Sequence, residues 1–162
     1  MGDRPKLLPV AAQDVDELAR LWYDGWHAGH ADLVPAALTQ YRDLDSFRVR
    51  IMRDRASFFL SKDGPITTGF IRIVGSELDQ FYVAASMIGQ GVAAPLIEAA
   101  EAQMGDMGVT RAHLIAAVKN IRAIRFYEKH GWANCGARME TVATVDGTFT
   151  LKVVRLEKVL LS

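Results

Sequence analysis

The chain has 162 residues, of which 50% are hydrophobic and 23% charged, a composition typical of one soluble globular domain. Lysine plus arginine and aspartate plus glutamate both number 19, so no net charge favours a polyanion such as nucleic acid. The single cysteine excludes an internal disulfide, the N-terminus does not resemble a signal peptide, and no apolar run approaches a membrane span. We therefore expect one domain over residues 1–162 that is cytoplasmic and has no membrane or nucleic-acid partner.

The first half of the chain predicts a strand, two helices and three further strands. Leu7–Val10 is a short apolar run, and apolar residues recur at helical spacing from Val15 to Trp26. We expect Gly25 and Gly29 to fray or end this first helix. The elements that follow are an irregular segment over His27–Thr39, a helix over Leu44–Arg53, and strands over Ala56–Ser61, Thr67–Val74 and Glu77–Val83. Short turns join these three strands, which indicates an antiparallel meander.

The second half alternates helices with strands. The predicted elements are a helix over about Val92–Met104, a strand over Ala112–Val118, a helix over Asn120–Lys129, and strands over Arg138–Thr144 and Thr148–Val159. Ala112–Val118 is so apolar that we expect it to be central and buried on both faces. The whole order predicts an α/β (α+β) fold with a single mixed, mostly antiparallel sheet of about seven strands, flanked by about four helices.

A glycine-rich turn, Ile88-Gly89-Gln90-Gly91-Val92-Ala93, joins the meander to the next helix. The first N–H groups of a helix have no partner within it, and glycines allow phosphate oxygens to approach them. The donors we expect are Gln90, Gly91, Val92, Ala93 and Ala94, with Gly89 shaping the turn. Two other interpretations exist: a turn that only needs positive φ, and a dinucleotide-binding Gly-x-Gly-x-x-Ala motif. The second normally follows the first strand of a βαβ unit, whereas three strands precede this turn.

A second motif, NIRAIRFYEKHGW, runs from Asn120 to Trp132. Together the two motifs resemble the GNAT superfamily of acetyl-CoA-dependent N-acetyltransferases, in which a Gln/Arg-x-x-Gly-x-Gly/Ala turn precedes an N-x-x-A-x-x-F-Y-E-K-x-G-F run. The chain departs from this pattern at Ile88, where Gln or Arg is usual, and at Gln90, which is often basic. Pro95 lies early in the helix, where its missing N–H is tolerable among unpaired first-turn donors.

The resemblance implies acetyl-CoA as cosubstrate, with no metal. It implies that the pantetheine arm lies along the backbone of Phe81, Tyr82 and Val83, and that the Val83 N–H stabilises the oxyanion of the thioester. It also implies that the other side of the coenzyme is lined by Asn120, Ala123 and Phe126. The cations that could meet the 3′-phosphate, unless they are only a solvated helix face, are Lys119, Arg122, Arg125 and Lys129.

The resemblance also suggests catalytic residues. Tyr127 corresponds to the tyrosine that protonates the departing thiolate, although an aromatic at this position could simply pack beside Phe126. An attacking amine must lose its proton, since a lysine-like amine has a pKa of about 10.4. Glu77 and Asp79 lie on one face of their strand by alternation and match positions where family members carry a carboxylate. We favour Glu77 as the base; the alternative is that both are ordinary edge carboxylates.

The acceptor is not determined by any motif. In the resembled family the loop after the first helix often forms the acceptor wall, which predicts a substrate pocket formed by Trp26, His27, His30 and Leu33. Two histidines three residues apart, His27 and His30, with Asp32 nearby do not suffice to predict a metal site. The acceptor is a small-molecule amine or a protein N-terminal or lysine amine.

Several alternatives to this function remain. The chain could use another acyl-CoA, could bind acyl-CoA without catalysis, or could be a dinucleotide-binding oxidoreductase. The long last strand and the habit of the resembled family make a homodimer plausible.

Overall fold

The computed structural model describes residues 4–30, 36–144 and 147–161, and within them the chain forms five α-helices and seven strands. The helices are α1 Val15–His30, α2 Ala36–Thr39, α3 Leu44–Arg53, α4 Ala93–Asp106 and α5 Ile121–Lys129. The strands are β1 Leu7–Pro9, β2 Phe58–Asp63, β3 Ile66–Val74, β4 Glu77–Val83, β5 Arg111–Ala117, β6 Ala133–Thr144 and β7 Gly147–Val159. In the part of the chain described, no helix combines the length and apolar character needed to cross a membrane.

All seven strands belong to one sheet, in the order β1-β2-β3-β4-β5-β7-β6. Neighbouring strands are antiparallel except β4 and β5, which are parallel. The predicted fold, a mixed and mostly antiparallel seven-stranded sheet with flanking helices, is confirmed. The predicted meander is also confirmed and corresponds to β2, β3 and β4.

The sheet opens at its centre, between β4 and β5. The two strands share a single register pair, Glu77 with His113. By contrast, β5 pairs with β7 along its whole length, from Arg111 to Ala117. Beyond Glu77 the parallel strands therefore diverge, and a cleft forms between the C-terminal halves of β4 and β5. We call it the β4–β5 cleft.

Helices cover both faces of the sheet and bury a separate apolar cluster on each. On one face α1 and α3 pack an aromatic cluster around Trp22, whose ring centroid lies 4.8 Å from that of Phe47 and 5.4 Å from that of Phe58. On the other face α4 and α5 pack against the sheet through Leu96, Ile97, Met104, Ile124 and the neighbouring Trp132. The β4–β5 cleft thus opens between two rigid layers.

The predicted end of the first helix was wrong, because α1 continues through Gly25 and Gly29 to His30. Gly25 is needed for a close approach instead: a Cβ built there would lie 2.6 Å from Cδ1 of Tyr82. A glycine inside a helix costs stability, so it is tolerated where another chain segment packs directly on the helix backbone.

Two strands also differ from their predictions. β6 begins at Ala133 and not at Arg138, because a bulge absorbs the local irregularity: Gly136 has φ +99° and its N–H donates to Asn134 Oδ1 at 2.9 Å. The prediction that β5 is buried on both faces was wrong, since Ile115 is 38% exposed. Ile115 lines a cavity on the face of the sheet that α1 and α3 cover, so it is not fully buried.

Candidate active site

The turn before α4 leaves the N-terminus of that helix open. Gly89 and Gly91 have φ of +82° and +77°, the left-handed region that glycine adopts without strain. A Cβ built at either position would meet nothing within 4 Å. The glycines are therefore required by the backbone conformation, and the space in front of the helix is free for a ligand.

Several backbone donors at this helix terminus are unused. The first residue whose N–H is bonded within the helix turn is Leu96, which donates to Val92 O at 3.1 Å. Pro95, immediately before it, falls in the first turn, where its missing N–H removes no hydrogen bond. Within the described part of the chain, the N–H groups without a backbone acceptor include those of Gly91, Val92, Ala93 and Ala94. These groups and the positive end of the helix dipole suit an anion such as a pyrophosphate.

Gln90 and Ile88 contribute differently from the other residues of the turn. The Gln90 N–H donates to Met87 O at 3.2 Å, so it is not free in this conformation, although it was among the expected donors. The Gln90 side chain also turns back, its Nε2 donating to Ser86 O at 2.9 Å. Ile88 is 54% exposed and carries no charge. An anion here would be held by backbone groups rather than by these two side chains.

The free edge of β4 points into the β4–β5 cleft. The Ala84 N–H donates to Thr68 O at 2.8 Å, and Val83 lies opposite Gly69. Because bonded and non-bonded pairs alternate in an antiparallel ladder, the Val83 N–H points away from β3, toward β5. The same alternation directs the Phe81 N–H toward β5. Since β5 has diverged at this level, both groups face the cleft.

An aromatic cluster connects β4 to α5 on the α4/α5 side of the cleft. The ring centroid of Phe81 lies 5.7 Å from that of Phe126 and 6.0 Å from that of Tyr127. Tyr127 is partly buried, and this burial raises the pKa of its hydroxyl. Among the described residues the Tyr127 hydroxyl has no hydrogen-bond partner. The phenol is therefore protonated at neutral pH and its hydroxyl is uncommitted.

Asn120 sets the start of α5. Its Oδ1 accepts a hydrogen bond from the Ala123 N–H at 3.3 Å, which makes it the N-cap of the helix. The cap fixes where the helix begins and hence which face carries Phe126 and Tyr127. The expected roles of Asn120 and Ala123 beside a coenzyme are proposals; their hydrogen bond to each other is the contact observed here. Four cations on and before this helix are exposed: Lys119, Arg122, Arg125 and Lys129.

The two candidate bases have different surroundings. Glu77 belongs to the pair from which β4 and β5 diverge, and its Oε2 lies 3.4 Å from His113 Nε2. Burial, followed by the charge of Asp79, raises the pKa of Glu77, while His113 opposes this shift. Asp79 accepts a hydrogen bond from Arg72 Nη1 at 2.8 Å. Burial thus favours the protonated form of Glu77, whereas Asp79 is held in an ion pair with Arg72.

A β-bulge in β4 lies at the second of these two carboxylates. Ile73 lies opposite Leu78 and Arg72 opposite Gln80, so Asp79 is the extra residue. The prediction that Glu77 and Asp79 share a face relied on regular alternation, which the bulge interrupts, but the two carboxylates remain close enough for the charge of Asp79 to raise the pKa of Glu77. The bulge also explains why Leu78 and Phe81, three residues apart, both pack on the α4/α5 side.

A cavity of about 300 Å³ lies where β4, β5, β6 and β7 meet α1 and α3. We call it the acceptor-side cavity, because the open helix terminus and Tyr127 belong to the other face of the sheet. Its charged lining residues are Arg42, Arg50, Asp79 and Glu140. Its remaining walls come from Trp26, Leu38, Gln80, Tyr82, Ile115, Ala116, Ala117, Thr141, Val142, Leu151 and Val153.

The four residues expected to bind the acceptor are Trp26, His27, His30 and Leu33, and within the described part of the chain only Trp26 is seen to line the cavity. His27 does not line it; its Nε2 lies 2.6 Å from Arg42 O, a hydrogen bond that ties α1 to the segment before α3. His30 ends α1, and Leu33 lies outside the described residues.

The two arginines of the cavity were not predicted from the sequence. Arg50 carried a usable signal: it falls between Phe47 and Ile51 on the face of α3 that is buried, where a charged residue is unusual. Arg42 carried none, because the irregular segment around it has no periodicity.

Residues 15–132 match the model of the Acetyltransferase (GNAT) family, a stretch that includes the free helix terminus, the cleft edge and Tyr127. The chain belongs to the GNAT family. It is therefore an acyltransferase of a family that uses acetyl-CoA, and the resemblance of its two motifs is confirmed. No curated protein matches the chain in sequence.

Solved GNAT structures share the fold of this family member. A GCN5-related N-acetyltransferase from Rhodopseudomonas palustris is 22% identical, with a TM-score of 0.75 over 99% of this chain and 98% of that one. PaiA N-acetyltransferase from Thermoplasma acidophilum, in complex with coenzyme A, is 16% identical, with a TM-score of 0.64 over 93% and 96%. Spermidine/spermine N-acetyltransferase SpeG from Vibrio cholerae is 18% identical, with a TM-score of 0.66 over 97% and 93%. At these identities the likeness concerns the fold.

Proposed function

We propose that this GNAT protein transfers an acetyl group from acetyl-CoA to a primary amine by direct attack of the amine on the thioester. The observation that carries the proposal is the divergence of β4 from β5 after the pair of Glu77 with His113. It leaves the N–H groups of Phe81 and Val83 facing a cleft that has an open helix terminus on one side and a cavity on the other.

The free N–H groups at the start of α4 fit a pyrophosphate, and the open space at Gly89 and Gly91 lets its oxygens approach. When bound, acetyl-CoA supplies the activated acetyl group as a thioester. The Val83 N–H would donate to the thioester carbonyl oxygen as negative charge develops there, and the Phe81 N–H two residues earlier would hold the pantetheine arm. The Phe126 ring would flank the coenzyme beside Phe81.

Tyr127 is the proposed acid. Its hydroxyl is protonated at neutral pH because burial raises its pKa, and it has no competing hydrogen bond among the described residues. It lies against Phe81, the residue whose backbone faces the cleft. A proton delivered from this phenol to the departing sulfur would complete the transfer.

Glu77 is the proposed base, acting through water. It lies four residues before Phe81 and six before Val83, or roughly 13 Å and 20 Å along an extended strand. These separations exceed the reach of a direct hydrogen bond. Water in the cleft would therefore carry the amine proton to the Glu77 carboxylate.

Direct transfer is supported by the position of the only cysteine. Cys135 is exposed on β6, and its Sγ donates to Glu157 Oε2 at 3.0 Å. That hydrogen bond raises the pKa of the thiol, which opposes formation of a nucleophilic thiolate. An acyl-enzyme at this cysteine would also lie away from the β4–β5 cleft.

A second candidate is an acyl-CoA-binding module without catalysis. It is favoured by the turn itself, where Ile88 is uncharged and the Gln90 side chain is bound to Ser86 O. Both features would lower affinity for the coenzyme phosphates. Family membership, in contrast, removes the support for a dinucleotide-binding oxidoreductase.

The test is amine-dependent thiol release from acetyl-CoA, followed with the purified chain across a panel of small amines and peptide N-termini. Saturating ligand at 100 times its Kd adds about 2.7 kcal/mol to the free energy of unfolding, so a melting shift reports binding independently of turnover. We expect both a shift and release with acetyl-CoA. A shift with acetyl-CoA but no release with any amine would favour the binding module. A shift with NADH alone would contradict both candidates.

A further inference from the structure

Two arginines of the acceptor-side cavity form no salt bridge with any residue that the structure describes. Arg42 is 8% exposed, and Arg50 is partly buried on α3. Both line the cavity. Within residues 4–30, 36–144 and 147–161, neither guanidinium takes part in an ion pair or donates a hydrogen bond. Guanidinium groups buried to this extent are normally paired, so the arrangement is incomplete without an anion.

The carboxylates of the same cavity cannot supply that anion. Asp79 is bound to Arg72, with 2.8 Å between Oδ2 and Nη1. Glu140 is bound to Arg138, with 2.6 Å between Oε1 and Nη2. Each of the two carboxylates therefore forms its ion pair with another arginine, and the charge of Asp79 offsets that of Arg50 only through space, since the two form no salt bridge.

Both arginines carry their charge at neutral pH in spite of this cost. Burial lowers the pKa of Arg42. Burial, and then the neighbouring Arg42, lower the pKa of Arg50 to about 10. Two neighbouring cations that face one cavity form a positive site of the kind that binds anions.

The surrounding structure holds the Arg50 side chain and the Arg42 backbone in place. The Arg50 guanidinium stacks 4.3 Å above the Trp22 ring and 5.7 Å from that of Phe47. The carbonyl of Arg42 is fixed by the 2.6 Å hydrogen bond from His27. A site whose side chains are already positioned loses less entropy when it binds its ligand.

We propose that the acceptor is a small amine that also carries a carboxylate, as an amino acid does, and that Arg42 and Arg50 bind this carboxylate. Guanidinium groups match carboxylates with paired hydrogen bonds. The volume of about 300 Å³ is at the lower end for ligand pockets and suits a molecule of this size. With its carboxylate at the arginines, the amine extends toward the β4 edge at Phe81 and Val83. A polyamine would instead bring cations to two unpaired arginines.

This inference rests on the proposed acetyl transfer, and matched acceptors test it. Thiol release is measured for amino acids and for the amines that differ only by loss of the carboxylate, such as leucine with isoamylamine and phenylalanine with phenethylamine. Spermidine tests whether a polyamine is the better acceptor. A comparison of phosphoethanolamine with β-alanine tests whether the arginines prefer a phosphate to a carboxylate. The variants are Arg42→Met and Arg50→Met, with Arg48→Met as control, since Arg48 lies on the same helix as Arg50 but is exposed and pairs with Asp16 at 2.9 Å.

We expect the carboxylated member of a pair to have the higher kcat/KM by about 10- to 100-fold, the range for hydrogen bonds to charged groups. Arg42→Met and Arg50→Met should lose this preference, while Arg48→Met keeps it and the Kd for acetyl-CoA stays unchanged in all three. Equal rates within pairs, or a preference for spermidine or phosphoethanolamine, would overturn the proposal. So would a tenfold loss of acetyl-CoA affinity in Arg42→Met, which would assign the arginines to the coenzyme.

A binding measurement separates this inference from the acetyl transfer itself. The probe is 4-methylpentanoate, the leucine skeleton without its amine, titrated against tryptophan fluorescence, because Trp22 lies under Arg50 and Trp26 lines the cavity. We expect saturable quenching that Arg42→Met abolishes and Arg48→Met retains. Quenching without any acetyl transfer would support the carboxylate site and refute the proposed acetyl transfer. Absent quenching, or quenching that Arg42→Met retains, would refute the site.

Loss of folding would not explain such results. Removing a buried charge that has no partner relieves an unfavourable desolvation, so we expect the melting temperature of Arg42→Met to equal or exceed that of the wild type. A structural arginine would give the opposite result, a lower melting temperature.

Discussion

The backbone of Gly25 in α1 packs directly on the ring of Tyr82 in β4, at a distance that leaves no room for a side chain. A Cβ at Gly25 would lie 2.6 Å from Tyr82 Cδ1. The Tyr82 ring cannot easily withdraw, because it stacks on Phe70 with centroids 5.4 Å apart and planes at 16°. This contact links the first helix to the strand whose edge forms the cleft, since Val83 is the next residue of β4.

Gly25→Ala should therefore destabilise the protein although alanine favours helices. Overpacking costs about 1–3 kcal/mol, against a gain in helix propensity of about 1 kcal/mol, so we expect a net loss of up to about 2 kcal/mol. Gly29→Ala is the matched control, because a Cβ there meets nothing within 4 Å. It should leave stability unchanged or raise it by up to about 1 kcal/mol. Equal unfolding free energies for the two variants in urea would contradict the contact.

Gly91→Ala should weaken acetyl-CoA binding through the backbone of the turn. Gly91 has φ of +77°, and Gly75, in the hairpin between β3 and β4, has φ of +59° with equally open surroundings. Alanine at either position costs about 1–2 kcal/mol of stability, since left-handed backbone is unfavourable for it. Only Gly91→Ala should raise the Kd for acetyl-CoA, by about tenfold or more in calorimetry. A similar rise in Gly75→Ala would show that the loss is not local to the turn.

Glu77 should be visible in the pH dependence of kcat. A base acts in its deprotonated form, so kcat falls as pH falls through its pKa. Burial and Asp79 raise that pKa, which places the fall above the ordinary glutamate value of about 4.3. We call this decrease of kcat at low pH the acidic limb. Glu77→Gln should remove the limb and lower kcat by about 10²–10⁴.

His113→Gln is the control for the Glu77 assignment, because the two side chains are 3.4 Å apart. Because His113 opposes the upward shift of the Glu77 pKa, its removal should raise the pKa of the limb and should not abolish the limb. A limb that survives Glu77→Gln but vanishes in His113→Gln would assign the titration to the imidazole and contradict the base proposed here.

Much of the fold was predictable because its signals are local. Glu77–Val83 and Leu44–Arg53 have the predicted bounds, since turn residues or a capping aspartate delimit each run. Gly25 misled the prediction because its reason for being glycine is a contact with Tyr82, more than fifty residues away in the sequence. No local pattern contains that contact.

The candidate site divides in the same way. The turn with Gly89 and Gly91, and the run that carries Tyr127, are contiguous motifs and could be found in the sequence. The cavity that Arg42 and Arg50 share depends on how α1, α3 and the far end of the sheet meet. The bulge at Asp79 is equally invisible, because the sequence of β4 alternates without a glycine or proline to mark it.

Tyr127→Phe tests the central claim most directly. The variant removes one hydroxyl that has no hydrogen bond among the described residues, so the aromatic packing with Phe81 and Phe126 should persist. The measurement is amine-dependent thiol release beside the Kd for acetyl-CoA, in wild type and variant. We predict that kcat falls by about 10²–10⁴ while the Kd changes less than threefold or so. Unchanged turnover in Tyr127→Phe would contradict the account.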